Sequence, residues 1–217
     1  MKPSVLQLVG SFAQGGSERQ AVQVSKLLRE SGRYEVYLAC LDGQGVLRDE
    51  AEQIGFTQIP EFPLTKFYDA NALSQIIRFS KLLREKKIKV VQTYDFYTNI
   101  FGMMGAAIAR VPVRIAARRE TEGVRTRAQK WAERRAFDLA HVIVVNSEAV
   151  RKELIHDGVN KDKIEIIYNG MDTRRVVPGE GAGREKVLAA FGLPQNDQSR
   201  FITIVANMRH AMKDQAT

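Results

Sequence analysis

The apolar run VLQLVG at residues 5–10 passes through Gly15-Gly16 into Ser17-Glu18-Arg19-Gln20 and an amphipathic stretch ending near Leu28. A strand, a tight loop and a helix start thus occupy the first 30 residues. Such a junction holds unpaired backbone N–H groups over the strand's C-terminal end. The helix N-terminus adds a partial positive charge, so an anion is the natural guest. Glycine lets backbone approach a ligand with no Cβ in the way. Chain reversal alone also accounts for a glycine pair, so both readings stand at this point. Gly10 and Gly15 are too far apart for a dinucleotide fingerprint, and no Lys-Ser or Lys-Thr follows Gly16 as a P-loop requires.

The alternation continues. Residues 17–30 read as a helix with Ser17 and Gln20 as a capping box. Ala21, Val24, Leu27 and Leu28 form its inward stripe, and Gly32 ends it. Strands are expected at 35–41 and, briefly, at 56–59, followed by a loop at Pro60 and Pro63. A helix over 71–86 turns Leu73, Ile76, Ile77, Phe79, Leu82 and Leu83 inward. Then come a strand at 88–92, a helix of small residues at 99–110 able to pack close to a sheet, and a strand at 113–117. A helix at 124–139, a strand at 141–145, a helix at 147–156 stopped by Gly158, and a strand at 163–168 complete the series. The strands are continuous apolar runs, which implies a parallel sheet buried on both faces. Right-handed βαβ units then give an α/β fold, a doubly wound, Rossmann-like parallel sheet. Ligands in such sheets sit at the C-terminal strand ends, here the loops at 10–16, 93–98, 118–123 and 146–147.

The chain carries 217 residues with a net charge of +8, and +6 of it falls in one stretch. Between Arg110 and Arg135 stand nine basic residues and three acids, Glu120, Glu122 and Glu133. Such a segment suits phosphates: an anionic membrane surface, a nucleotide-linked substrate or nucleic acid. A solvated helix face is the plain alternative. Trp131 within it is expected to pack against the sheet, an interfacial anchor being the other reading. Cys40, the single cysteine, lies in the apolar stretch VYLAC and reads as a buried thiol. A lone cysteine forms no internal disulfide, which fits a reducing, cytoplasmic setting. No apolar run reaches the roughly 18 residues of a membrane span, and Met1-Lys2-Pro3 enters the first strand without a signal-peptide pattern.

Composition shifts after Asp172. Residues 174–183 hold Pro178 and three glycines, a helix is expected at 185–191, and FITIVAN at 201–207 reads as a fresh buried strand. The expected organisation is an N-terminal domain at 1–173, a linker with a short helix at 174–198, and the start of a second, incomplete domain at 199–217.

Four passages carry a family likeness: Gly15-Gly16-Ser17-Glu18-Arg19; Val90-Val91-Gln92-Thr93-Tyr94-Asp95; Val144-Val145-Asn146-Ser147-Glu148-Ala149 followed by Ile166-Ile167-Tyr168-Asn169-Gly170-Met171-Asp172; and Ala206-Asn207-Met208-Arg209 with Lys213-Asp214. Together they resemble the GT-B glycosyltransferases of family 4, the retaining nucleotide-sugar type. The third passage is the specific one. The resemblance implies two Rossmann-like domains across a cleft, an N-terminal acceptor side and a C-terminal donor side. It also implies a glycosyltransferase moving a hexose from a nucleotide-sugar, as co-substrate, to a glycan or lipid-linked acceptor, with no further cofactor and no metal. Gly15, Gly16, Arg209 and Lys213 would hold the donor diphosphate. Negative charge grows on that leaving group, and an Arg–Lys pair with backbone N–H groups stabilises it as it develops. Acceptor-side candidates are Glu18, Tyr94, Asp95, Arg118, Arg119 and Glu120, with Asp95 and Arg119 as candidate catalytic residues.

The sequence departs from the family pattern in three places. Gln92-Thr93-Tyr94-Asp95 replaces a His-x-His-Asp run. Arg118-Arg119-Glu120 stands where the family often has a histidine. His141 replaces an aspartate and reads as a packed or capping residue. No two glutamates are spaced E-x7-E, the pair that meets nucleotide and sugar in the donor domain. The expectation is that these 217 residues alone transfer no sugar, with peripheral contact at the inner membrane face through the segment from Arg110 to Arg135. The alternative is a non-catalytic module that binds an anionic ligand or a partner. Specific nucleic-acid binding is not expected, since no helix-turn-helix or RNA-binding signature accompanies the basic residues.

Overall fold

In the computed structural model the residues described are 2–64, 69–120, 125–170, 183–194 and 200–201. The chain divides into two units, Met1–Asn169 and Gly170–Thr217.

The first unit is built on β1 (Ser4–Val9), β2 (Glu35–Cys40), β3 (Val90–Thr93), β4 (Val113–Arg118), β5 (Val142–Val145) and β6 (Ile164–Ile166). They form one sheet in the order β2-β1-β3-β4-β5-β6, and every described pairing is parallel. The connecting helices are α1 (Gly16–Glu30), α2 (Leu47–Gln53), α3 (Ala70–Glu85), α4 (Phe96–Ile108), α5 (Arg127–Leu139) and α6 (Glu148–His156). The order reverses once, between β2 and β3, so two apolar cores form on opposite faces. Leu6 and Leu8 of β1 pack with Phe79 of α3, Phe101 of α4, Phe137 of α5 and Leu154 of α6. Val9, Leu38 and Cys40 pack with Ala21 and Val22 of α1 and with Leu47 and Ala51 of α2. The β1 residues in the two cores alternate along the strand, as its pleat requires.

Local chemistry sets the helix starts. Asp69 caps α3 by accepting from Ala72 N–H, and Asp95 with Thr98 forms a capping box for α4. Thr126 with Gln129 does the same for α5, and Ser147 caps α6. The expected box at Ser17 and Gln20 is corrected. Helix α1 begins one residue earlier, with Gly15 as its N-cap and no side-chain cap. Its buried positions are Ala21, Val22 and Ser25, while Leu27 is exposed. In α3, Leu73 and Ile77 also face solvent, and Ala72 and Ser80 take inward places. The strand expected at 56–59 does not form. Only a bridge from Cys40 to Glu61 extends that edge, fixed by Cys40 N–H to the Pro60 carbonyl. Trp131 does not pack against the sheet; it is 63% exposed, its ring 5.7 Å from the Arg135 guanidinium.

In the second unit the described helix α7 (Arg184–Ala190) has Gly183 as its N-cap, and Gly192 beyond it adopts φ +63°. The strand expected at 201–207 lies almost wholly outside the described residues, as do Arg209 and Lys213.

Candidate functional site

Three strand-to-helix junctions meet at the C-terminal edge of the sheet. The β1–α1 junction brings Gly15, Gly16 and Glu18. At Gly15 an added Cβ would collide with the Glu18 carboxylate, whereas at Gly16 it would meet open space. Gly16, Ser17 and Glu18 are the first residues of α1, and their N–H groups precede the first intrahelical bond, Arg19 N–H to the Gly15 carbonyl. Glu18 lies in this first turn, where the helix dipole favours its charge. Burial nevertheless pushes its carboxyl above the ordinary glutamate value, and the negative charges of Asp95 and Glu120 add to the rise.

The β3–α4 junction supplies Tyr94 and Asp95. Tyr94 is 2% exposed, and its phenol meets Gln7 Oε1 at 2.5 Å inside the sheet. Burial drives that phenol well above its usual range. Asp95 Oδ1 accepts the N–H groups of Tyr97 and Thr98, at 2.9 and 3.0 Å. A Cβ built on Gly10 would lie 2.9 Å from Asp95 Oδ2, so Gly10 is what lets that carboxylate approach the first strand. Burial raises the Asp95 carboxyl above its ordinary value despite those N–H bonds, and Glu120 contributes to the rise.

The β4–α5 junction carries three arginines that behave differently. Arg118 is 4% exposed. It meets Glu133 at 3.5 Å, Glu153 more closely, and Asp157 at 4.0 Å, and it donates to the Glu120 carbonyl. Arg125 binds Glu133 at 2.5 Å and Glu120 at 2.7 Å, with its guanidinium 5.0 Å from the Phe96 ring centroid. Arg119 instead donates to Asn169 Oδ1, while its carbonyl accepts from Asn146 Nδ2 at 3.0 Å. A cavity of about 40 Å³ is lined by Ser17, Tyr94, Asp95, Phe96, Ala117, Arg118, Arg119, Glu120, Arg125 and Glu133.

The fold therefore brings five of the six acceptor-side candidates, Tyr94, Asp95, Arg118, Arg119 and Glu120, to one cavity, and Glu18 lies within electrostatic reach of it. Of these, Arg118 is engaged in an internal ion network and Tyr94 in the core. Sequence reasoning singled out the motifs containing Asn146 and Asn169 but missed that both asparagines close on Arg119. It also missed Glu133, which joins Arg118 to Arg125. An acidic residue inside a basic run, at a helix position facing the core, was the available signal. His141 behaves as expected, its Nδ1 accepting the Arg114 N–H at 3.1 Å at the strand edge.

A six-stranded parallel sheet with its ligand-facing loops at the C-terminal edge is the arrangement of one half of a GT-B glycosyltransferase. Residues 14–175 match the family model Glycosyltransferase Family 4, and the chain belongs to that family. It is 25% identical over 118 residues to the alpha-maltose-1-phosphate synthase of Mycolicibacterium smegmatis, an alignment covering 49% of this chain and 30% of that protein. The fold matches Anabaena Alr3699/HepE, solved in complex with UDP, with a TM-score of 0.69 at 18% identity. That match covers 88% of this chain and 50% of the other. A Rickettsia africae glycosyltransferase matches with a TM-score of 0.68 at 17% identity, over 90% of this chain and 51% of that one. The chain thus spans about half the length of the solved structures it matches.

Proposed function

We propose that this chain forms the acceptor side of a retaining glycosyltransferase, which moves a hexose from a nucleotide-sugar to a glycan or lipid-linked acceptor. The observation that carries the reading is the convergence of the three junctions on one polar cavity at the C-terminal strand ends, the place where open parallel sheets bind ligands. Carboxylates at Asp95 and Glu120 and the arginine at 119 suit hydrogen bonding to sugar hydroxyls. Asp95 stands as the candidate group closest to the chemistry, because burial raises its carboxyl above the ordinary value and so favours the protonated form. The α1 N-terminus with Gly15 and Gly16 would contribute to donor-diphosphate stabilisation; Arg209 and Lys213, the other donor-side candidates, lie outside the described residues. A diphosphate at that terminus would come close to the Glu18 carboxylate, so the two anions compete for the same partial charge.

The 217 residues alone transfer no sugar under this reading, because the donor half supplies most contacts to the nucleotide. The test is direct. Purified chain is assayed with UDP-, GDP- and ADP-hexoses and with lipid-linked and glycan acceptors, and its melting is followed with each. A matching acceptor raises the melting temperature by mass action, and no transfer accumulates. Transfer clearly above background sinks the half-site statement; the absence of stabilisation by every acceptor sinks the acceptor-side assignment.

The basic segment supports peripheral membrane contact through the outward face of α5, where Arg127, Arg134 and Arg135 flank the exposed Trp131. Among the described residues no helix is long and apolar enough to cross a membrane.

A further inference from the structure

Arg119 is held from two sides by asparagines of separate chain segments. Asn146, at the end of β5, fixes its backbone, and Asn169, just beyond β6, accepts from its guanidinium. Both of these partners are neutral, so they position the side chain without neutralising it. Its neighbours differ in this respect: Arg118 and Arg125 each contact at least two carboxylates. Among the described residues no carboxylate lies within ion-pair distance of Arg119. The side chain is half-buried and lines the cavity beside Ser17 and Asp95. Burial lowers its proton affinity, as expected of a cation that has lost water with no counter-ion among the described residues. An oxyanion is the complement of such a group, because charge-assisted, bidentate hydrogen bonds to guanidinium restore what desolvation removed. Cavity size adds a constraint. Since ~10–15 Å³ admits one water, about 40 Å³ has room for a carboxylate- or phosphate-sized group.

We propose that Arg119 is a specificity-determining residue that binds an oxyanion, a carboxylate or a phosphate, carried by the saccharide that enters this site. The inference rests on the acceptor-side reading and narrows it to acidic saccharides. Asn169 acts as a positioning residue, since it accepts from the guanidinium and is not among the residues that line the cavity.

The test is an NMR titration of the purified chain with glucuronate, glucose 6-phosphate and neutral glucose. At least one acidic sugar is expected to bind about tenfold or more tightly than glucose, the scale of one hydrogen-bonded charge. Whichever of the two acidic sugars does so identifies the source of the oxyanion. Arg119→Gln should erase the preference without changing the melting temperature, and Asn169→Ala should weaken it. Arg33→Gln, on an exposed turn after α1, should leave it intact. Equal binding of all three sugars, or a preference that survives Arg119→Gln, overturns the role of Arg119 while leaving the acceptor side standing. If none of the sugars binds a chain that circular dichroism shows to be folded, both readings fall.

Discussion

Arg118, at 4% exposure, lies beside the carboxyl group of Glu133, at 3%. Glu133 Oε2 serves both Arg118 and Arg125, while its Oε1 has no hydrogen-bond partner among the described residues. Burial raises the Glu133 carboxyl, and the two arginines only partly offset this. Removing one partner of such a cluster leaves the others as buried, uncompensated charges. Arg118→Met is therefore expected to cost about 3–5 kcal/mol, read as a lower urea midpoint at unchanged slope. Asp95 makes the opposite case. Its folded value lies above the ordinary 3.8, so its contribution to stability is complete below that pH and is lost as pH rises through the folded value. Asparagine caps a helix as well as aspartate and carries no charge. Asp95→Asn should therefore gain stability relative to the parent chain as pH rises from about 4 to 7, measured by urea unfolding at each pH. Cys40, with its thiol pushed to about 12 by burial, should resist Ellman's reagent until the chain unfolds. Of these residues the sequence exposed Cys40 readily, because apolar neighbours imply burial. It could not separate Arg118 from Arg119. Arg118 ends β4 and Arg119 opens the loop beyond it, and their different fates depend on Glu133, Glu153 and Asn169, which come from distant parts of the chain.

Helix α4 shows how an element reaches its place. A Cβ on Gly102 would lie 2.5 Å from Thr93 Cγ2 and 2.8 Å from Leu8 Cδ2, and one on Gly105 would lie 2.5 Å from Phe79 Cδ1. The helix thus lies nearly flush against β1, β3 and α3. Asn99 then reaches across, its Nδ2 donating to the Ala117 carbonyl at 2.9 Å and its Oδ1 accepting from Thr93 Oγ1 at 2.6 Å. Gly105→Ala should lower stability by about 1–3 kcal/mol through overpacking, although alanine favours helix by about 1 kcal/mol. A calorimetric melt reads the sign, and a stabilised variant would show that Phe79 can retreat. This close approach was legible in the small residues from Gly102 to Ala107. Helix α2 was not, because seven residues span barely two turns and show too little periodicity to register. The extended stretch at 56–59 looked like a strand because Phe56 and Ile59 are apolar. Local composition does not say whether an edge has a partner, and here the bond that forms is made by Pro60.

At the scale of the molecule the charge is sorted by the fold rather than spread over one patch. Arg114 donates to the Leu139 carbonyl at 2.6 Å and to the Val111 carbonyl at 2.9 Å, and Arg118 and Arg125 are tied to carboxylates. These cations serve the interior and the site. Arg127, Arg134 and Arg135 remain exposed on α5 with Trp131, although Arg135 shares its charge with Asp138 at 3.1 Å. Counting residues between Arg110 and Arg135 found the excess correctly but overstated the surface field, since composition does not record which cations have buried partners. A surface of arginines around an indole is suited to an anionic bilayer, with the ring at the headgroup level and the guanidinium groups on phosphates. Each such arginine contributes about 1 kcal/mol near an anionic membrane. Replacing both Arg134 and Arg135 by glutamine should therefore weaken sedimentation with phosphatidylserine vesicles by about 30-fold, while neutral phosphatidylcholine vesicles bind neither form. Binding should fall as salt shortens the screening length, and Trp131→Ala should reduce the part that salt does not remove. Equal affinity for neutral and anionic vesicles, or indifference to the double substitution, would assign this face to solvent.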